Sequence, residues 1–212
     1  MLLADFHIHT RKSGDSNLSV DAILKKASAF GLNVLGIVDH NRLFRERVGG
    51  KITVFRGEEI KTAAGEIIGF ELKKDIEPGL DLIETCKQIK KQGGIVYVPH
   101  PFDSFRQCIG DKIYDIVDYI DIVEGFNSRC TFSRFNKMAE EFAKEHNIPL
   151  VGGSDAHFDY EIGSCITTIK STNIKADILK AIRSGNILIE GRGSGLMPHF
   201  HTFKFKITKK VG

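Results

Sequence analysis

The feature that most constrains the fold is the regular alternation of short β-rich runs with helical patterns along almost the whole chain. Leu2 to Phe6 is predicted to be the first strand. Ser19 then offers an N-cap side chain for a helix over residues 20–30, and Gly31 can adopt the positive φ of a helix end. Strands that alternate with helices are typical of parallel βα units. We therefore predict a small α/β barrel of parallel strands.

The same alternation continues to the C-terminal part of the chain. Further strands are predicted at 34–38, 52–55, 67–72, 95–98, 119–123, 150–151 and 166–169, and further helices at 80–92, 111–118, about 135–142 and about 178–185. Residues 63–66 are predicted to form a tight turn, so that 67–72 is a hairpin arm. No repeat or linker interrupts the 212 residues, and we expect one domain over 1–212, with 186–212 as a C-terminal extension or edge strand.

Charge and cysteine content limit the classes of protein. The formal net charge of +3 is too small to indicate a dedicated nucleic-acid-binding protein, although it suits an anionic substrate. The four cysteines include no CxxC pair, which favours free thiols in a reducing compartment. No apolar run has the length of a signal peptide or a membrane span. We expect a cytoplasmic protein that does not enter a membrane.

Six predicted strands in succession end in residues that bind metals well. These residues are His7 and His9, Asp39 and His40, Glu58 and Glu59, His100, Asn127, and Asp155 and His157. In a closed parallel barrel the C-terminal ends of all strands meet on one face, where such folds place their active sites. We therefore expect these residues to lie together.

A His-x-His pair alone is a weak signal, because two surface or hydrogen-bonded histidines explain it equally well. The conjunction is stronger, since five of the eight histidines fall at strand ends. Imidazoles mixed with carboxylates, with no cysteine among them, suit Zn²⁺, Mn²⁺ or Fe²⁺ in an open catalytic site. The residues alone therefore predict metal-assisted hydrolysis.

The motifs that carry these residues resemble the PHP-domain (polymerase and histidinol phosphatase) family of metal-dependent phosphoesterases. They are Asp5-Phe6-His7-Ile8-His9-Thr10, Ser13-Gly14-Asp15-Ser16, Val38-Asp39-His40-Asn41, Gly57-Glu58-Glu59, His100-Pro101, Glu124-Gly125-Phe126-Asn127 and Gly153-Ser154-Asp155-Ala156-His157. The resemblance spans residues 1 to about 185 and agrees in order and spacing. It implies a distorted (β/α)7 TIM-like barrel that binds two or three divalent metal ions at the C-terminal ends of its strands.

The resemblance implies a ligand set for each ion. The first ion would take His7, His9, Asp155 and a bridging glutamate; the second would share that glutamate and add His100 and Asn127; the third would take Asp15, His40 and His157. The family motif Gly-x-Glu matches Glu59 as the bridging ligand, with Glu58 as the alternative. Many members have histidine at the position of Asn127, whose amide oxygen is a weaker ligand.

The implied reaction is hydrolysis of a phosphate mono- or diester by a metal-activated water. Asp15, His40 or His157 could transfer protons if the third ion is missing. The candidate phosphate-binding residues are Arg106 and Arg129, with the alternatives Arg11, Lys12, Arg42 and Arg45 in adjoining loops. The expected substrate is a phosphorylated small molecule or a nucleotide, with nucleic acid as a weaker candidate.

Two other functions stay open. An amidohydrolase also carries His-x-His on its first strand and an aspartate on a late strand, but it usually bridges its metals with a carbamylated lysine, where this chain has a glutamate. A non-catalytic barrel subunit of a ribonucleoprotein would have no need of the metal ligands.

Several polar residues near the C-terminus have simpler explanations. His199 and His201 form a second His-x-His pair, but no carboxylates accompany it, which favours surface or strand histidines. Lysines at 204, 206, 209 and 210 are typical of a solvated edge strand.

Overall fold

The computed structural model describes residues 1–195 and 197–211, and in these residues nine strands and five α-helices follow one another. The strands are β1 (Leu2–Ile8), β2 (Val34–His40), β3 (Thr53–Thr62), β4 (Gly65–Phe70), β5 (Ile95–Val98), β6 (Ile122–Asn127), β7 (Leu150–Gly153), β8 (Cys165–Ile169) and β9 (Ile187–Gly191). The helices are α1 (Val20–Ala29), α2 (Leu82–Lys91), α3 (Ser133–Glu145), α4 (Lys175–Arg183) and α5 (Met197–Val211). Two 3-10 helices cover Arg11–Ser13 and Gly110–Tyr119.

The strands form one sheet in the order β7-β6-β5-β4-β3-β2-β1-β8-β9. Parallel pairing joins β1 to β2, β2 to β3, β5 to β6 and β6 to β7. The segment after β7 returns to β1, where Ile8 and Ala156 form a parallel bridge and the His9 amide donates to the Ala156 carbonyl at 2.9 Å. The sheet is thus a nearly closed barrel, which confirms the predicted α/β TIM-like fold.

The distortion of the barrel lies at β4. The turn after β3 includes Gly65, whose φ of 139° places it in a region that favours glycine. Strand β4 therefore returns as a hairpin arm and pairs antiparallel with both β3 and β5. As a result the first residues of β4 lie beside the last residues of β3, at the end of the barrel where the parallel strands finish.

Aromatic side chains fill the barrel interior below that end. Phe6 packs against Phe55 with ring centroids 5.8 Å apart, and Phe70 packs against Phe55 at 6.1 Å and against Tyr97 at 5.5 Å. All four are almost fully buried, and each phenylalanine contributes about 1.5–3 kcal/mol through burial. A β-bulge between Asp5 and Ile8 shifts the β1 register at His7, the first histidine of the His-x-His pair.

Gly153 lies where the end of β7 closely approaches β1. A Cβ on Gly153 would meet both the His7 Cβ and the Glu124 carboxylate. Only glycine therefore lets the end of β7 close against β1.

The C-terminal region differs in part from the prediction. Residues 187–191 do form an edge strand, β9, but the lysine-bearing segment that we predicted to be an edge strand belongs to helix α5. Its phenylalanines and lysines alternate along the chain, which imitates a strand pattern. The contacts follow helical spacing, since His201 and Phe205 both pack against Phe158, with centroids 6.0 and 6.1 Å away.

Other boundaries shift by a few residues. The predicted helix at 111–118 is a 3-10 helix, and β6 begins at Ile122, three residues later than predicted. In the part of the chain that the structure describes, no helix has the length and apolar character needed to cross a membrane.

Candidate metal centre

Side chains from five strands and from the loops that follow β1, β5 and β7 converge at one end of the barrel. They are His7, His9, Asp15, His40, Glu59, His100, Asn127, Asp155 and His157, joined by Glu66, which the sequence analysis did not single out. Only His40 among them is more than 8 % exposed. Two of these residues, His100 (φ 29°) and Asp155 (φ 56°), adopt left-handed backbone conformations, a strain that is common at functional sites.

His7 and His9 face one another at the centre of the cluster. Their Nε2 atoms are 3.0 Å apart. Glu59 Oε2 lies 3.6 and 3.2 Å from these two atoms, and Asp155 Oδ1 lies 3.7 and 3.4 Å from them. Ligand atoms about 2.0–2.1 Å from a tetrahedral ion are about 3.4 Å from one another. The two imidazole nitrogens and Glu59 Oε2 therefore fit around a single cation, and Asp155 Oδ1 approaches both imidazoles.

The unsatisfied carboxylate oxygens support the same interpretation. Glu59 Oε2, Asp155 Oδ1 and Asp15 Oδ1 are buried and have no hydrogen-bond partner among the described residues. Buried polar atoms without partners are costly, and each of these atoms points into the cluster. Cations bound in the cluster would satisfy all three.

Hydrogen bonds on the far side of the two rings fix their orientation. His7 Nδ1 lies 3.0 Å from Glu124 Oε1, which also accepts a hydrogen bond from the Tyr97 hydroxyl at 2.8 Å. His9 Nδ1 lies 2.9 Å from Ser13 Oγ. A carboxylate partner keeps the proton on His7 Nδ1 and leaves Nε2 free to bind an ion, as carboxylates that hydrogen-bond to ligating histidines do in metal sites.

Charge balance in the cluster depends on protonated imidazoles. Burial alone would raise the pKa of Glu59, but the His40 and His7 cations and hydrogen bonds from His100 and His40 hold this pKa well below its ordinary value. Burial alone would lower the pKa of His7, but Asp155, Glu124 and Glu59 raise it well above its ordinary value. Divalent ions would replace these protons and balance the same carboxylates.

The structure distinguishes the two adjacent glutamates of β3. The Glu59 carboxylate enters the cluster, whereas Glu58 points to the opposite face and its Oε2 accepts a hydrogen bond from the Ile76 amide at 3.0 Å. Burial raises the pKa of Glu58 to about 7. The bridging role of Glu59 remains a prediction, but only Glu59 of the pair reaches the other candidate ligands.

Asp15, His40 and His157 form the outer part of the cluster. Asp15 Oδ2 lies 3.3 Å from His40 Nε2, and Asp15 Oδ1 lies 3.4 Å from His157 Nε2. Burial, together with the nearby Arg129 cation, lowers the pKa of His157 to about 3. His157 is therefore neutral at physiological pH, which is the form that binds metal.

Asn127 lies in the cluster, but its amide is already occupied. The Nδ2 group donates to Glu124 Oε2 at 2.8 Å and to Asp155 Oδ2 at 3.1 Å. The Oδ1 atom accepts a hydrogen bond from the Arg129 amide at 2.8 Å and contacts Arg106 Nη1 at 3.5 Å. The predicted role of Asn127 as a metal ligand would require this oxygen to leave those donors.

The two arginines predicted to bind phosphate have different surroundings. Arg106 has a side chain that is 13 % exposed, and its Nη1 lies 2.5 Å from Asp155 Oδ2. Arg129 is 3 % exposed and its guanidinium contacts Glu161 at 2.9 Å and His157 Nδ1 at 3.0 Å. Arg106 borders the cluster directly, whereas Arg129 is enclosed by protein groups.

The four alternative basic residues lie farther out. Arg45 forms an ion pair with Asp75 at 2.5 Å, and Lys12 forms one with Glu46 at 2.7 Å. Arg11 and Arg42 are exposed.

Helix α5 lies across one side of the site, which the sequence did not indicate. Lys206 Nζ is 3.1 Å from Asp15 Oδ2, and Arg129 Nη2 donates to Thr202 Oγ1 at 2.6 Å. His199 Nε2 lies 2.9 Å from the Arg129 carbonyl, and His201 Nδ1 lies 2.6 Å from the Tyr160 hydroxyl. The second His-x-His pair therefore anchors a helix; neither histidine is on a strand.

Glu66 was missed because it stands at the start of a hairpin arm. The predicted ligands all follow from the C-terminal ends of parallel strands, whereas an antiparallel strand contributes its first residues to that end of the barrel. The available signal was an acidic residue at the end of the predicted 63–66 turn, where the hairpin arm begins.

Comparison with known proteins supports the fold and the family. A family model described as PHP-associated matches residues 133–187. An uncharacterized protein of Methanocaldococcus jannaschii is 35% identical over 176 residues, which cover 81% of this chain and 72% of that protein.

Two solved structures share the fold. A two-domain protein from Bacteroides vulgatus that contains a predicted PHP-like metal-dependent phosphoesterase matches with a TM-score of 0.69 and 18% identity over 95% of this chain and 69% of its own. Endonuclease Q, in complex with a 27-mer duplex that carries an abasic lesion, matches with a TM-score of 0.62 and 17% identity over 86% of this chain and 56% of its own.

Proposed function

This chain belongs to the PHP-domain family, and on that premise we propose that it is a metal-dependent phosphoesterase that hydrolyses a phosphate mono- or diester of a small molecule or nucleotide. The observation that carries the proposal is the convergence of Glu59 and Asp155 on His7 and His9: the two imidazole Nε2 atoms are 3.0 Å apart, and a carboxylate oxygen of each acid lies 3.2–3.7 Å from both. These distances suit donors that share an ion. We propose two or three divalent ions, with Zn, Mn or Fe as the candidates.

The donor set fits such ions, because it mixes imidazole and carboxylate with no thiolate. When bound, the ions supply Lewis acidity that lowers the pKa of an attacking water and polarises a phosphoryl oxygen. His7, His9 and Asp155 would hold the first ion, with Glu59 shared between ions. Asp15, His40 and His157 would hold the third.

The residues of the chain then orient the ester and move protons. Arg106 and Lys206 border the cluster, through contacts with Asp155 and Asp15 respectively. Both carry fixed positive charge toward the place where phosphoryl oxygens would lie. If the third ion is absent, the neutral Nε2 of His157, 3.4 Å from Asp15 Oδ1, is placed to accept and return a proton.

The position of Glu59 favours this function over the amidohydrolase alternative. A carbamylated lysine would have to stand where the Glu59 carboxylate faces both His9 and His40, at 3.2 and 3.1 Å. The retention of a complete buried ligand cluster likewise favours an enzyme over a non-catalytic RNA-associated subunit.

The test combines metal analysis with a substrate panel. Purified protein would be assayed for Zn, Mn and Fe by mass spectrometry, and for hydrolysis of p-nitrophenyl phosphate and bis-p-nitrophenyl phosphate before and after chelation. We expect activity that is lost on chelation and restored by a divalent ion. The variant His9→Ala should lose more than about 100-fold in kcat/KM, because it removes a direct ligand.

Glu58→Gln is the matched control, since it alters the adjacent carboxyl group on the opposite face of β3 and should leave metal content unchanged. A protein that retained no transition metal and hydrolysed neither ester with Mn²⁺ supplied would contradict the proposal.

A further inference from the structure

Two buried carboxylates face one another across the β3–β4 hairpin. Glu59 is fully buried and Glu66 is 8 % exposed. The hairpin register pairs Glu66 with Lys61, two residues beyond Glu59, so both acids project from the same face of adjacent antiparallel strands. Two carboxylates buried this close repel one another unless a positive group lies between them.

Imidazoles flank Glu66 on both sides. Glu66 Oε1 is 3.7 Å from His40 Nδ1, and Glu66 Oε2 is 3.9 Å from His100 Nε2. The His100 atom is also 3.1 Å from Glu59 Oε1. Ligand atoms of His40, Glu59 and Glu66 all lie within 4.8 Å of one another.

These distances favour a shared ion over hydrogen bonding. A separation of 3.7 or 3.9 Å is too long for a hydrogen bond. It is close to the separation of about 3–4 Å between two donors that bind one ion at about 2.0–2.2 Å each. From the described residues the Glu66 carboxylate accepts no hydrogen bond, although its side chain is only 10% exposed.

The side-chain oxygen of Asn127 already contacts an arginine cation and a backbone hydrogen-bond donor. Arg106 Nη1 contacts both Asp155 Oδ2 and Asn127 Oδ1, and the Arg129 amide donates to the same Asn127 oxygen. A divalent ion at Asn127 would have to approach the Arg106 guanidinium, and like charges in a buried site strongly repel.

We propose that Glu66 is a ligand of the second cation, together with Glu59 and His100, and that Asn127 instead positions Asp155 and Arg106. The second cation thus lies toward β4 rather than toward β6. This inference rests on the proposed function, because it assumes that the cluster binds metal.

The test is the metal stoichiometry of matched variants. Wild type, Glu66→Ala, Glu66→Gln, Asn127→Ala and the control Glu58→Gln would be stripped with chelator, reloaded with Mn²⁺, dialysed and analysed for metal per chain. We expect Glu66→Ala to bind one ion fewer than wild type, and Glu66→Gln to bind the second ion at least 10-fold more weakly. Asn127→Ala and Glu58→Gln should keep the wild-type number of ions.

A second measurement detects misfolded variants. Thermal unfolding of each metal-free variant, followed by circular dichroism, establishes that it folds, and the rise in midpoint on addition of Mn²⁺ should be smaller for both Glu66 variants than for wild type. Folded Glu66→Ala that binds as many ions as wild type would overturn the inference, as would loss of an ion from Asn127→Ala or a wild type that binds only one.

These outcomes separate the two proposals. A wild type that binds ions and hydrolyses esters, with unchanged stoichiometry in Glu66→Ala, refutes only the role of Glu66. A wild type that binds no ion refutes the proposed function itself.

Discussion

Tyr97 offers a sharp test of how the barrel interior orients His7, a candidate metal ligand. Its buried hydroxyl donates to Glu124 Oε1 at 2.8 Å, and that same oxygen lies 3.0 Å from His7 Nδ1. Burial and the neighbouring Glu124 raise the pKa of Tyr97 well above its ordinary value, so the hydroxyl is a neutral donor throughout the physiological range. Tyr97→Phe removes this one donor and creates no cavity.

The expected loss of stability depends on the hydrogen bonds that Glu124 keeps in the variant. A hydrogen bond to a charged group contributes about 1.5–3 kcal/mol. Glu124 would keep three donors: His7 Nδ1, the His100 amide and the Asn127 Nδ2 group. We therefore expect the lower end, a loss of about 1.5 kcal/mol in the free energy of unfolding. Metal affinity should fall about 10-fold, because groups that orient ligands typically contribute 10- to 100-fold.

The assay is urea unfolding of the metal-free protein, paired with titration of Mn²⁺ into wild type and variant. Tyr119→Phe is the control, since Tyr119 is only partly buried and the described residues give its hydroxyl no hydrogen bond. A Tyr97→Phe variant that unfolds within 0.5 kcal/mol of wild type and binds Mn²⁺ equally well would refute the reasoning that Tyr97 supports the site through Glu124.

Three further predictions concern the site and its surroundings. Lys206→Ala should raise KM for p-nitrophenyl phosphate about 3- to 10-fold with a smaller change in kcat, because it removes a cation 3.1 Å from Asp15. Lys204 is exposed, and Lys204→Ala is the control. A KM for Lys206→Ala equal to that of wild type would contradict the substrate-binding role. Chelation should lower the thermal midpoint, by about 5–10 °C relative to protein with metal at about 100 times its Kd, and this difference should largely vanish in His9→Ala. Asp75→Ala should cost no more than about 1 kcal/mol at pH 7, because the pair with Arg45 is exposed. A hydrogen bond from Arg45 lowers the pKa of Asp75 below 3.8. The stabilisation by the ionised Asp75 is therefore present above pH 3.8 and is lost as the pH falls through the folded-state pKa. Urea unfolding of wild type and Asp75→Ala at pH 7 and pH 2.5 measures this stabilisation, and an equal cost of the substitution at both pH values would contradict its origin in the ionised carboxylate.

Local signals in the sequence were sufficient to predict most strands and helices of the barrel. Ser19 does cap α1, with its side chain accepting a hydrogen bond from the Ala22 amide. The gathering of His7, His40 and His157 was also predictable, because the C-terminal ends of parallel strands share one face whatever the details of packing. Topology alone brings these residues together.

Features that depend on tertiary contacts were not predictable. The period-two pattern in the lysine-rich segment competes with the helical contacts that Phe158 and Tyr160 make with α5, and only the folded chain decides between them. The orientation of Arg129 depends on Glu161 and Thr202, which are 32 and 73 residues away in the chain. A lone arginine after a strand does not reveal such partners.

The hydrogen bonds around position 127 explain why this residue is an asparagine. Its amide donates to both Glu124 and Asp155 and accepts from the Arg129 backbone. A neutral imidazole offers one donor and one acceptor, so histidine at this position could not make all three hydrogen bonds. Position 127 therefore fixes the carboxylates of Glu124 and Asp155, and if the cluster binds a second cation, its third ligand would come from another strand. Glu66, on the strand that runs antiparallel to its neighbours, is the buried acid that is placed to supply it.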